Sequence, residues 1–153
     1  MAKRSAGLLP FRRSNLEVEV FLVHPGGPFW AHKDAGAWSI AKGEYLEGEE
    51  PLAAALREFE EEVGRTAPAG EATPLGELKQ PSGKVVTAFA VQADFEVDEV
   101  HSNTFTLEWP RGSGRVQEFP EVDAARWMAM DEARTALHKG QRDFLDRLLL
   151  ILP

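Results

Sequence analysis

Residues Gly43 to Arg65 read GEYLEGEEPLAAALREFEEEVGR, and this stretch sets the expectations for the rest of the chain. Glu49, Glu50, Glu58, Glu60, Glu61 and Glu62 surround Arg57, with a glycine near each end. Pro51 suits the first turn of a helix, where its missing N–H leaves no bond unmade. Gly64 suits the stop, because glycine takes left-handed dihedrals cheaply. Leu52, Leu56, Phe59 and Val63 recur at three- and four-residue spacing, as a buried helical stripe does. At roughly 100° per residue that stripe spans about 60° of the helix, and Glu58, Glu61 and Glu62 are expected together on the opposite face. Like charges one turn apart repel by roughly 0.2–0.5 kcal/mol per pair. Solvent is the ordinary compensation for such a face. A hard divalent cation is the other, since Mg²⁺ prefers carboxylate oxygens and keeps several waters.

The spacing decides between them. Five residues separate Gly43 from Glu49, and seven separate Glu49 from Arg57-Glu58. Phe59, a free position, Glu61-Glu62, another free position and Gly64 follow. The pattern resembles the Nudix box, the signature of hydrolases that cleave nucleoside diphosphates linked to another moiety. Arg65 departs from it, standing where the family has an aliphatic residue. The preceding WSIAKGEY resembles the family's lead-in, with Ala41 where proline is common.

The resemblance covers the chain in length and order, though its specificity resides in residues 38–65. It implies an α/β/α sandwich, a mixed β-sheet between helical layers. It implies metal ligation by Glu58, Glu61, Glu62 and the Gly43 carbonyl, with Mg²⁺ as the ion and Mn²⁺ as its substitute. Catalytic roles fall on Glu58, Glu61 and Arg57, the arginine orienting groups through a box carboxylate such as Glu49. Family members differ in their general base. Glu58 is one option here; Glu118 and Glu121, acids downstream, are candidates for an extra base or ligand.

Composition narrows the class. A chain of 153 residues is one domain's worth, expected to span 1–153. It holds no cysteine, which excludes disulfide frameworks and fits a reducing cytoplasm. Its longest apolar runs, such as Leu148 to Leu152, fall far short of the roughly 20 residues that span a bilayer. The expectation is a soluble cytoplasmic protein without membrane partners. A formal charge of −8 disfavours duplex nucleic acid. A small phosphorylated ligand stays compatible, because a bound cation inverts the local sign.

Outside the box, strands are expected over Ser5–Arg13 and Leu16–His24, around a turn at Ser14-Asn15. Pro10 inside the first strand points to an edge position or a bulge. The loop Pro25–Ala37 carries Phe29, Trp30, His32 and Lys33. Trp30 is a candidate for stacking on a base, and Lys33 and Lys42 for meeting phosphates. Trp38–Lys42 reads as a short strand. Leu75–Gln80 and Lys84–Ala93 form a hairpin about Pro81-Ser82-Gly83, the second strand apolar on both faces as a central strand is. Thr104–Trp109 is a further strand, and Glu118–Trp127 reads as strand or loop. Asp131 suits a helix N-cap, opening a helix to His138. After Gly140, Gln141–Leu152 carries an apolar stripe expected to pack on the sheet; a homodimer interface is the alternative to a monomer.

The expected function is Mg²⁺-dependent hydrolysis of a phosphoanhydride in a nucleoside diphosphate derivative, first of all a nucleoside triphosphate releasing pyrophosphate. An asymmetrical dinucleoside polyphosphate hydrolase is the alternative. A nucleotide-binding sensor that does not cleave is the rival from a different class.

Overall fold

The computed structural model describes residues 3–15 and 17–152. Leu16, the expected start of the second strand, lies outside them. Strand β1 (Arg4–Ser14) is buried continuously from Ser5 to Phe11, which requires neighbours on both edges. Along one edge it runs parallel to β5 (Val85–Gln92), from Arg4 beside Val85 to Phe11 beside Gln92. Along the other it pairs antiparallel with β3 (Ala41–Glu44) over Ser5–Leu8. From Phe11 onward that edge belongs to β2 (Glu17–Pro25). Strands β4 (Ala72–Lys79) and β8 (Val122–Ala129) complete the mixed sheet in the order β4-β5-β1-β2-β8, with β3 attached to β1.

Pro10 is therefore not at a sheet edge. The Phe11 carbonyl accepts from Ala93 N–H on the β5 side at 2.9 Å, so strand alternation aims the Pro10 nitrogen the other way. There β3 has ended at Leu8 and β2 begins at Phe11. The missing donor falls in the gap between two partners and costs no ladder bond.

Helices cover both faces. Helix α1 (Pro51–Val63) opens with proline in its first turn and closes on Gly64 at φ 82°, as its sequence dictates. Its Phe59 and Val63 pack with Leu8, Phe21, Val23 and Ala41 on one face of the sheet. On the other face, Leu9, Val20, Leu22, Val86 and Met128 meet Phe144, Leu145 and Leu148 of α3 (Asp143–Ile151). Helix α2 (Met130–Ala136) adds Ala133 and Ala136 to that core. This is the α/β/α sandwich with a mixed sheet.

Two local expectations are corrected and two are sharpened. Ser14 pairs with Glu17 and so belongs to the strand rather than to the turn. Residues 122–129 form the edge strand β8, paired with β2 from Glu19 to Pro25. Ala129, not Asp131, is the N-cap of α2, and Asp131 sits in its first turn, where a carboxylate favours the helix dipole. Strands β6 (Thr104–Glu108) and β7 (Val116–Pro120) pair only with each other, as a ribbon outside the main sheet. Among the described residues, no helix is long and apolar enough to cross a membrane.

Candidate active site

Strand β3 lies along α1, and two backbone positions join them. The N–H of Lys42 donates to Glu62 Oε1 at 3.0 Å. Next to it, a Cβ built on Gly43 would overlap the Glu58 carboxyl group, so only glycine admits that approach. Arg57 gathers the remaining box acids. Its Nη2 reaches Glu49 Oε2 at 3.2 Å, and its Nη1 reaches Glu58 Oε1 at 2.9 Å and Glu61 Oε1 at 3.3 Å.

The three glutamates do not share the face opposite the core stripe. Glu62 follows Phe59 by three positions, about 60° around the helix, and turns towards β3. The Glu58 side chain is 13% exposed and that of Glu61 38%. Only Glu61 lies near the solvent face. Burial, followed by the charge of Glu61, raises the pKa of Glu58, while neighbouring Arg57 opposes the rise. Burial pushes the Glu62 carboxyl up to about 8, despite the Lys42 N–H and ammonium. Lys42 is shifted down, again chiefly by burial. Both members of this pair are driven towards neutrality, so desolvation outweighs their attraction.

Beside this junction opens a cleft of about 480 Å³, lined among others by Lys42, Glu62, Lys84, Glu121 and Trp30. Sequence-derived candidates separate here. Lys42, Glu62, Trp30 and Glu121 face a common space, whereas Glu118 is exposed on the β6–β7 ribbon. Glu58, Glu61 and Arg57 stand on α1 outside the cleft lining. Lys33 lies in a neighbouring shallow depression with His32, its Nζ 5.3 Å from the centre of the Trp30 ring.

The loop carrying Trp30 is anchored from both ends. A side chain at Gly26 would collide with the Pro120 carbonyl, and one at Gly27 would meet the Phe105 ring at 2.8 Å. Phe29 packs edge-on against Trp109 at 5.3 Å. Further along, buried His24 bonds Asp123 through Nδ1 at 2.8 Å and the Lys33 carbonyl through Nε2 at 2.7 Å. Trp38 Nε1 donates to Asp34 at 2.7 Å. The sequence marks His24 and Asp123 only as a strand end and an acid in a strand or loop, so this anchor was not foreseen.

The NUDIX domain model matches residues 1–148 of this chain. The chain belongs to the Nudix family. It is accordingly a hydrolase acting on phosphoanhydride bonds, and α1 is the helix of its Nudix box. Among solved structures it is similar to a C. elegans Ap4A hydrolase, at 19% identity and a TM-score of 0.68, covering 95% of this chain and 96% of that one. The NUDIX domain of Shewanella oneidensis NrtR, complexed with ADP ribose, is similar at 14% identity and a TM-score of 0.65, covering 97% and 89%. A MutT of Aliivibrio salmonicida or Vibrio cholerae follows at 15% identity and 0.57, covering 98% of each chain. At such identities the likeness is one of fold. No curated protein matches the chain in sequence.

Nudix hydrolases generally use divalent metals. Among the described residues, no three acidic, histidine or cysteine side chains converge closely enough to hold an ion. Glu58 and Glu61 are gathered by Arg57, and Glu62 by Lys42. The donor chemistry nevertheless suits Mg²⁺. All three side chains offer hard oxygens, and the charged forms of Glu58 and Glu62, disfavoured chiefly by burial, are ones that a bound cation would stabilise.

Proposed function

We propose that this Nudix hydrolase is Mg²⁺-dependent and cleaves a nucleoside triphosphate, releasing pyrophosphate. The observation that carries this reading is the meeting of α1 acids and cleft at one pair, Glu62 and Lys42. Glu58, Glu61, Glu62 and the Gly43 carbonyl are the groups that would hold the metal, with Mn²⁺ as a substitute. When bound, the ion supplies the positive charge that phosphate oxygens need before water can approach phosphorus.

The chain's own groups do the rest. Arg57 sets the positions of Glu49, Glu58 and Glu61. Lys42 and Lys84 provide cations along the cleft, and Trp30 a face on which a base stacks. Lys33, in the neighbouring depression, adds positive charge beside the Trp30 ring. Glu121, in the cleft with Glu62, is the favoured extra base or ligand, ahead of the exposed Glu118; Glu58 is the alternative base. A base here takes the proton of the attacking water.

A dinucleoside polyphosphate is the second reading. Phe29 and Trp30 are adjacent and exposed, at 51% and 36%, offering two aromatic surfaces where a substrate has two bases. The fold likeness to an Ap4A hydrolase is in keeping with it. A cytoplasmic location, with which a chain free of cysteine is compatible, and a monomer or a homodimer are part of the same proposal.

Incubation with nucleoside triphosphates, ADP-ribose and diadenosine tetraphosphate under Mg²⁺, followed by product analysis, tests the proposal. Pyrophosphate and a nucleoside monophosphate are the expected products. Tight nucleotide binding with no product at high enzyme concentration would overturn the hydrolytic reading in favour of a sensor.

A further inference from the structure

The cleft has a second chemistry beside its lysines. Gly140, in the 3₁₀ turn Lys139–Gln141, ties two side chains through its own backbone. Its N–H donates to His138 Nδ1 at 3.1 Å, and its carbonyl accepts from Gln80 Nε2 at 2.9 Å. Both side chains line the cleft that Trp30 also lines.

Each bond settles which atom is left over. A neutral imidazole whose Nδ1 accepts must carry its proton on Nε2, and His138 Nε2 has no partner among the described residues. Burial, then the cations Lys42, Lys139 and Arg142, lower the pKa of His138, which favours the neutral ring. The Gln80 amide is oriented likewise. Its Nε2 donates to the Gly140 and Leu78 carbonyls, which leaves Oε1, packed beside Gly140, without a hydrogen-bond donor among the described residues. A Cβ at position 140 would push Gln80 Oε1 aside, so glycine there permits this placement of the amide.

The result is an uncharged donor and an uncharged acceptor held by one residue. The acceptor does not suit a phosphate, whose oxygens only accept and which Lys42 and Lys84 serve better. A nucleobase edge displays this complement, a planar acceptor beside an N–H. We propose that His138 and Gln80 determine base specificity: His138 Nε2–H donates to an acceptor on the base edge, and Gln80 Oε1 accepts an N–H from that edge. The proposal rests on the nucleotide reading above and assigns to these two residues the part of the substrate that the Nudix box does not touch.

The test compares the parent protein with His138→Phe, His138→Gln and Gln80→Leu under saturating Mg²⁺. Substrates are the four ribonucleoside triphosphates, diadenosine tetraphosphate and the base-free ribose 5-triphosphate. For His138→Phe and Gln80→Leu, kcat/KM on the preferred nucleotide, relative to the base-free compound, is expected to fall about tenfold. The loss should reside mainly in KM, and preference among bases should flatten. His138→Gln, whose amide also donates, should recover much of it. An equal loss on ribose 5-triphosphate, or an unchanged order of base preference, would overturn the proposal. So would a parent protein that cleaves the base-free compound as well as any nucleotide, leaving the hydrolase reading intact. Failure of the parent on all six compounds would instead remove the nucleotide reading, and this proposal with it.

Discussion

Gly43 and the carboxyl group of Glu58 are packed so closely that the glycine cannot acquire a Cβ without displacing the acid. The atom that must give way is the end of a flexible side chain, while β3 and α1 can stay in place. Gly43→Ala should therefore cost about 1–2 kcal/mol of stability but shift the Glu58 carboxylate proposed to act in the reaction. Turnover is expected to fall at least tenfold, on the order of the loss when a metal site's supports are moved. Urea denaturation beside a Mg²⁺ titration of kcat checks both halves. A normal rate would mean that the Glu58 position is unimportant.

Glu61→Gln and Glu62→Gln keep side-chain shape and remove charge. Each is expected to lower kcat by about 100-fold or more at saturating Mg²⁺, with an unchanged circular dichroism spectrum. If both variants turned over near the parental rate, neither residue would be a metal ligand.

Glu62 also makes stability depend on pH. Burial raises its carboxyl from 4.5 to about 8 in the folded protein. Between those values the folded chain retains a proton that the unfolded chain releases, so stability falls as pH rises through the window. Glu62→Gln removes this penalty while its amide oxygen can still accept from Lys42 N–H. In a chelator, the variant should be the more stable by on the order of a few kcal/mol at pH 8.5. The gain should shrink towards pH 5. A difference that stayed constant with pH would contradict the burial argument.

Arg57 is the shared partner of Glu49, Glu58 and Glu61. Arg57→Ala leaves three carboxylates without their common cation, and should destabilise the metal-free protein by about 1 kcal/mol, a modest figure because the arginine is partly exposed. High salt should shrink the loss, as should saturating Mg²⁺. Thermal melts with and without Mg²⁺ provide the comparison. A deficit that ignored both salt and metal would indicate lost packing instead.

Glu121 lines the cleft and Glu118 is exposed on the ribbon, outside the cleft lining. Glu121→Gln is expected to reduce kcat about tenfold or more, whereas Glu118→Gln should stay within twofold by steady-state assay. The reverse ranking would require the ribbon to fold over the cleft during turnover.

Local chemistry made α1 legible almost to the residue, because Pro51 and Gly64 each have one comfortable place in a helix. Its acids were harder to place. A helical wheel gives angles, but it cannot say that β3 lies against the flank carrying Glu58 and Glu62. Pro10 misled for a similar reason: its missing donor limits one edge of a strand, and the handover from β3 to β2 at that point is a long-range event. The edge strand β8 has short apolar alternation and was half seen. His138 and Gln80 gave no signal, since neither residue type nor spacing reveals that both meet Gly140.

The partnership of β1 with β5 has a kinetic side. The central strand ends at Ser14, yet its parallel neighbour ends at Gln92. A nascent chain must therefore carry an apolar segment unpaired along one edge until most of the domain has emerged. Closing so long a loop slows folding, and during that wait β1 is the place where aggregation or chaperone capture would begin.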